Sequence, residues 1–224
     1  MIYTPAGVQP HKKLPALYLL HGASGDENTW IKEIHADAIL DNLYAGKKLA
    51  PMYVIMPSML SVTGREQVGD SREAMMGATM AFSDVLMNEM IPFLEKKHSV
   101  SDKREHRALA GFSMGAGVAF STGLRNSDQF PWIGAFSGSG STRRLESMRI
   151  DLKSKGREPR LVWLSVGDRD ELMAGGMVAA DAFLTAKAIP HEFHINSGGH
   201  EPKVWMNDLY HFAPLLFQNA NSAR

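Results

Sequence analysis

Arg107-Ala108-Leu109-Ala110-Gly111-Phe112-Ser113-Met114-Gly115-Ala116-Gly117-Val118-Ala119-Phe120 is the stretch on which the reading of this chain turns. Its first four residues read as a short buried strand, and its last five as the small-residue start of a helix. Between them lies a G-x-S-x-G element, a sharp strand-to-helix turn that exposes a serine hydroxyl. Glycines at both ends remove the Cβ clashes such a turn would cause. The plain alternative is a small-residue turn with a serine cap. The strand before and the helix after favour Ser113 as a nucleophile. A helix beginning at Met114 also aims unpaired N–H groups and its dipole at Ser113, where negative charge would develop.

Outward from this element, short apolar runs alternate with longer amphipathic ones. Strands are expected at 16–20, 52–56, 107–110, 132–136, 161–166 and 191–195. Helices are expected at 34–45, 82–98, 114–124, 175–188 and 204–217. In the second helix, Phe82, Val85, Leu86, Met90, Phe93 and Leu94 fall on one side at helical spacing. Such alternation predicts an α/β fold with a mainly parallel central sheet and helices on both faces. Ligands of such sheets bind beyond the carboxyl ends of the strands.

The 224 residues contain no internal repeat or long polar linker, so one domain over 1–224 is expected. Lys plus Arg and Asp plus Glu are 24 each, which leaves no basic field for nucleic acid. No cysteine is present, so disulfides and a thiolate zinc site are excluded. No apolar run approaches the roughly 20 residues that span a bilayer. No signal peptide is visible after Met1, so either the protein is cytosolic or a signal has been removed.

A serine nucleophile needs a histidine base steered by a carboxylate, in this fold class in the order Ser, acid, His. Four histidines follow Ser113: His191, His194, His200 and His211. His200 stands in Ser197-Gly198-Gly199-His200-Glu201, a glycine-rich loop after the last strand, where a base at the sheet top belongs. His191 and His194 fall in a strand and His211 on the final helix. His191-Glu192-Phe193-His194 does not match the helical spacing of a zinc-binding H-E-x-x-H. For the acid, the strand ending at Val166 runs into Gly167-Asp168-Arg169-Asp170-Glu171. Spacing alone leaves Asp170 and Asp168 as rivals. A buried acid here stays ionised while it orients the imidazole. Two backbone N–H donors are needed for an oxyanion. Met114, next to the serine, supplies one. Ala23 in His21-Gly22-Ala23-Ser24-Gly25 is the candidate for the other, with Gly22 allowing close approach.

The stretch 57–79 is long and rich in Gly, Ser and charge, as binding loops are. Met75 and Met76, with Met80, would line an acyl pocket suited to aromatic rings, or would simply pack at the start of the next helix. Trp205 would wall the same pocket or anchor the last helix.

Together these residues resemble the carbohydrate esterase family 1 type, the feruloyl esterases and acetylxylan esterases of the α/β-hydrolase superfamily. Esterase D (S-formylglutathione hydrolase), the mycolyltransferases and the enterochelin esterases are more distant relatives. The resemblance rests on Leu17-Tyr18-Leu19-Leu20-His21-Gly22, Glu27-Asn28-Thr29-Trp30, the segment 104–115, Gly167-Asp168-Arg169-Asp170, and Gly198-Gly199-His200 followed by Val204-Trp205. It implies Ser113 as nucleophile and His200 as base, and it tips the acid to Asp170, the last position of a G-x-x-D element. It further implies a cofactor-free hydrolase whose partner is a small-molecule or polysaccharide ester, in particular a hydroxycinnamoyl or acetyl ester on plant polysaccharide. Secretion with a removed signal would follow from the family. Relatives carry further strands before the segment that begins at Ile2, so some N-terminal strands are expected to be missing and the sheet edge left bare. A dimer through that edge is a corollary.

Overall fold

The computed structural model describes residues 1–8, 12–23, 25–59, 77, 81–139, 142, 146, 152, 154 and 156–218. Seven strands build one sheet: β1 (Ile2–Tyr3), β2 (Ala16–Leu20), β3 (Tyr53–Ile55), β4 (Arg107–Phe112), β5 (Trp132–Phe136), β6 (Leu161–Gly167) and β7 (Glu192–Asn196). Their spatial order is β1-β3-β2-β4-β5-β6-β7. β1 runs antiparallel to β3, and all other pairs are parallel. Helices among the described residues include α1 (Thr29–Lys32), α2 (Ala36–Ala45), α3 (Ile91–Lys97), α4 (Met114–Arg125), α5 (Ala174–Ala186) and α6 (Pro202–Phe212). Among the described residues no helix is long and apolar enough to cross a membrane.

The central strands are buried along their length and mostly apolar because both of their faces are covered. In β2 all five residues are buried. Leu17 and Leu19 join a core with Trp30, Leu40, Trp205 and Phe212, beneath α1, α2 and α6. Ala16, Tyr18 and Leu20 face the other way, into a core with Phe82, Leu86 and Val118. β7 is the exception. It closes the sheet as an edge strand, with only β6 beside it, and its side chains are partly exposed.

Six strands stand where hydrophobic runs place them. β4 extends two residues further, to Phe112, and β3 is shorter than expected. β1 is too short to show any periodicity, and pairing alone defines it, with Ile2 opposite Ile55. The helix expected at 82–98 forms, with a difference in phase. Residues 81–85 are α-helical, Leu86–Met90 make a π-turn, and α3 follows. Ile91 N–H bonds back to the Leu86 carbonyl. A π-turn inserts one residue into the repeat, so the apolar face beyond it moves on by one. Leu94 is buried as expected, Ile91 joins it, and Phe93, expected inside, is 56% exposed. Pro92, which has no N–H to give to a regular α-ladder, lies directly after the turn.

After β2 the chain crosses to β3 on one side, then returns to β4 on the other. The strand order reverses between β2 and β4, and in sheets of this kind ligands bind beyond the carboxyl ends of the strands at such a point. Leu20 at the end of β2 is in register with Gly111 of β4. The loop that begins at His21 and the turn at Ser113 are thus brought side by side.

Candidate active site

Ser113 sits between β4 and α4 with φ 53° and ψ −119°. A non-glycine residue at such angles is strained, and the surroundings must hold it there. Its N–H donates to the Phe136 carbonyl at 2.9 Å, which ties the turn to the end of β5. The flanking glycines are needed for close approach. A Cβ on Gly115 would stand 2.7 Å from the Leu20 carbonyl oxygen, and one on Gly111 2.8 Å from the same atom. The turn packs directly on the backbone of β2, with no room for side chains between them.

His200 reaches Ser113 from the loop between β7 and α6. Its Nε2 lies 2.9 Å from Ser113 Oγ, and its Nδ1 lies 2.8 Å from Asp170 Oδ2. A carboxylate can only accept, so Nδ1 carries the proton and Nε2 is left to accept from the serine hydroxyl. Asp170 is 2% exposed, and its Oδ1 accepts the Met173 N–H at 3.1 Å. His200 keeps part of its surface in contact with solvent.

The two aspartates that spacing leaves as rivals have different surroundings. Asp168 does not touch His200. Its Oδ1 accepts Gly198 N–H at 2.8 Å, and its own N–H donates to the Asn196 carbonyl at 2.7 Å. Arg169 N–H donates to the Gly198 carbonyl at 2.9 Å. The acid loop and the base loop are thereby laced together along their length. Gly167 permits this, since a Cβ there would lie 2.8 Å from the Gly199 carbonyl oxygen.

Met114 is the first residue of α4, where the helix leaves its N–H groups without carbonyl partners in the helix. Ala23 lies in the turn after β2, a turn closed by Gly25 N–H on the Gly22 carbonyl at 3.2 Å. Gly22 lies against the Phe112 ring. Sequence reasoning gave His21 no role beyond its place in the loop. The buried imidazole accepts Met59 N–H on Nε2 at 3.0 Å, so Nδ1 holds the proton that bonds the Gly22 carbonyl at 2.7 Å. It fixes one side of the candidate oxyanion loop to the loop after β3. Trp30, in the motif quoted above, donates Nε1–H to the Leu20 carbonyl at 3.0 Å and so holds the end of β2.

Trp205 is 7% exposed. Its ring stacks on Phe112 at 4.1 Å and meets the His200 ring edge to face at 5.1 Å. It packs as core first and backs the imidazole second. Met75 and Met76, with Met80 and most of the 57–79 stretch, lie outside the described residues. Among the described residues no cluster of three or more His, Asp or Glu side chains is placed to hold a metal ion. His191 bonds Asp181 and the Ile189 carbonyl, and His194 bonds Glu192, away from Ser113.

A strand-borne serine at a topological switch point, with an imidazole and a buried carboxylate in line, defines an α/β-hydrolase. The model of the family described as "Putative esterase" matches residues 1–216, and the chain belongs to that family. It is 29% identical over 211 residues to an endo-1,4-beta-xylanase/feruloyl esterase of Xylanibacter ruminicola, an alignment that covers 92% of this chain and 27% of that protein. The chain thus spans about a quarter of the length of that relative. In fold it resembles a ferulic acid esterase of Anaeromyces mucronatus solved with ferulic acid, with TM-score 0.84 and 22% identity over 98% of this chain and 85% of the other. It also resembles the feruloyl esterase module of Clostridium thermocellum complexed with sinapinate, with TM-score 0.80 and 21% identity over 97% and 82% of the two chains.

Proposed function

We propose that the protein hydrolyses hydroxycinnamoyl esters of plant cell-wall polysaccharide through an acyl-enzyme formed on Ser113. The observation that carries this reading is the unbroken hydrogen-bonded line Asp170–His200–Ser113 on a strained turn. In the first step Ser113 Oγ attacks the ester carbonyl carbon while His200 Nε2 takes the hydroxyl proton. Asp170 holds the ring in the Nδ1–H tautomer and stabilises the imidazolium. The N–H groups of Met114 and Ala23 receive the oxyanion of the tetrahedral intermediate. His200 then returns its proton to the leaving alkoxide, and the alcohol departs. In the second step a water gives a proton to His200 and attacks the acyl carbon; collapse of that intermediate breaks the bond to Ser113 Oγ, which takes the proton back from His200 Nε2 as the acid leaves.

The hydroxycinnamoyl group is favoured because two structural relatives were solved with ferulic acid and with sinapinate, and a sequence relative bears the name feruloyl esterase. An acetylxylan or S-formylglutathione esterase uses the same residues, as does an acyltransferase that puts a sugar hydroxyl in place of water. Methyl ferulate, acetylated xylan and S-formylglutathione compared as substrates separate the hydrolases, and product analysis with an added acceptor separates the transferase. Ser113→Ala is expected to abolish hydrolysis of 4-nitrophenyl acetate and labelling by a fluorophosphonate probe. An active Ser113→Ala protein would overturn the mechanism.

A further inference from the structure

The base loop hangs from an unusual support. It begins at Asn196, the last residue of β7, and β7 is an edge strand with β6 on one side only. An edge strand end is free to fray, yet His200 must stay within hydrogen-bond reach of Ser113. Something on the helix side has to fix Asn196.

That side is α6. Its inner face presents Val204, Trp205, Leu209 and Phe212 to the core, and among them the fully buried Asp208. A carboxyl group on an apolar helix face is costly unless its position does something. Asp208 Oδ1 accepts Asn196 Nδ2–H at 2.6 Å. Asn207, next along the helix, donates Nδ2–H to Asn196 Oδ1 at 3.1 Å. The other side of the Asp208 carboxyl faces the Trp163 Nε1 and Ser165 Oγ donors of β6. Burial, eased by Ser165, Asn196 and Trp163, pushes the Asp208 carboxyl up to about 7. The bond to Asn196 is the one by which Asp208 reaches the base loop.

From Asn196 the path to the reacting atoms is short. The Asn196 carbonyl accepts Asp168 N–H, Asp168 Oδ1 accepts Gly198 N–H, and the Gly198 carbonyl accepts Arg169 N–H. Asp170 directly follows Arg169, and His200 stands two residues after Gly198. We infer that Asp208 is a positioning residue for the acid–base pair: through Asn196 it clamps the carboxyl end of the edge strand to α6 and so holds His200 in line with Ser113. The same helix delivers Trp205 to the His200 ring one turn earlier, so α6 supports the imidazole at two points. This inference rests on the serine-hydrolase reading of Ser113, His200 and Asp170.

The test uses Asp208→Leu, which removes the bond and fills the space, Asp208→Asn, whose Oδ1 accepts the same bond, and Asn196→Ala, which breaks it from the partly exposed side. A small misplacement of a catalytic group costs on the order of tenfold to hundredfold in rate. Asp208→Leu and Asn196→Ala are expected to lower kcat on 4-nitrophenyl acetate by about that factor, with KM within roughly twofold. Asp208→Asn is expected to restore most of the rate. The low-field proton NMR resonance of His200 Nδ1–H should broaden or shift in the first two variants and persist in the third. If Asp208→Leu does not fold, Asn196→Ala decides. Folded variants with wild-type kcat and an unchanged His200 resonance overturn the inference. So does a loss in Asp208→Leu that Asp208→Asn fails to rescue. Failure of the esterase reading looks different: the wild type is then inactive or Ser113→Ala remains active, and the NMR arm still reports on the clamp.

Discussion

At the scale of single residues, two aspartates two positions apart take separate tasks. Asp170 Oδ2 faces the imidazole, while Asp168 Oδ1 faces a backbone N–H of the opposite loop. Asp170→Asn keeps the shape but offers His200 an amide in place of a carboxylate, so the imidazole loses the partner that selects its tautomer. Its kcat on 4-nitrophenyl acetate should fall by about 10⁴. Asp168→Asn retains an acceptor oxygen for Gly198 and should lose roughly tenfold or less, since only the positioning of the loop is disturbed. Steady-state kinetics on the two variants checks this, and equal losses would reassign the acid. The sequence made both aspartates visible as candidates. Spacing did not separate them; the family resemblance tipped the acid to Asp170, and the path of the β7 loop in space sets that carboxylate against His200.

At the scale of elements, the turn between β4 and α4 works because it lies on bare backbone. Gly115→Ala would drive a methyl group against the carbonyl oxygens of Leu20 and His21, and neither is a flexible side chain. Overpacking of this kind costs about 1–3 kcal/mol. The expected result is a lower urea midpoint together with weak fluorophosphonate labelling, since the same clash displaces Ser113. Normal labelling at normal stability would show that α4 can shift away from β2. The Gly-x-Ser-x-Gly pattern announced this element plainly. The phase of the helix through Phe93 was not legible in the same way. Helical spacing put Phe93 inside, and the π-turn before Pro92, a local failure of the regular ladder, turned it out.

At the scale of the whole molecule, Asp208 links stability to pH. In the unfolded chain its carboxyl titrates near 4, and in the folded protein near 7, because burial disfavours its charge. Between these values the folded state binds the extra proton, so this group's contribution to stability falls as pH rises through that window. The residues around it are Trp163 and Ser165 of β6 and Asn196 of β7. His194 of β7 stacks on Trp163 and pairs with Glu192. Asp208→Asn has no proton to lose. Relative to wild type it should gain up to about 4 kcal/mol between pH 4 and pH 8. Urea unfolding of both proteins at the two pH values measures it, and a constant difference would show that Asp208 stays neutral or is solvated.

The sequence by itself determined the parallel sheet, the turn at Ser113 and the glycine loop at His200. Each is written in a local pattern: apolar runs of strand length, small residues where backbones touch, and polar loops after strands. The tertiary structure decided what depends on distance across the chain. It gave His21 the task of fixing the loop after β2 and set Asp208 beneath Asn196. Neither has a local signature, because a side chain acquires its partner only when strands far apart in sequence are laid side by side.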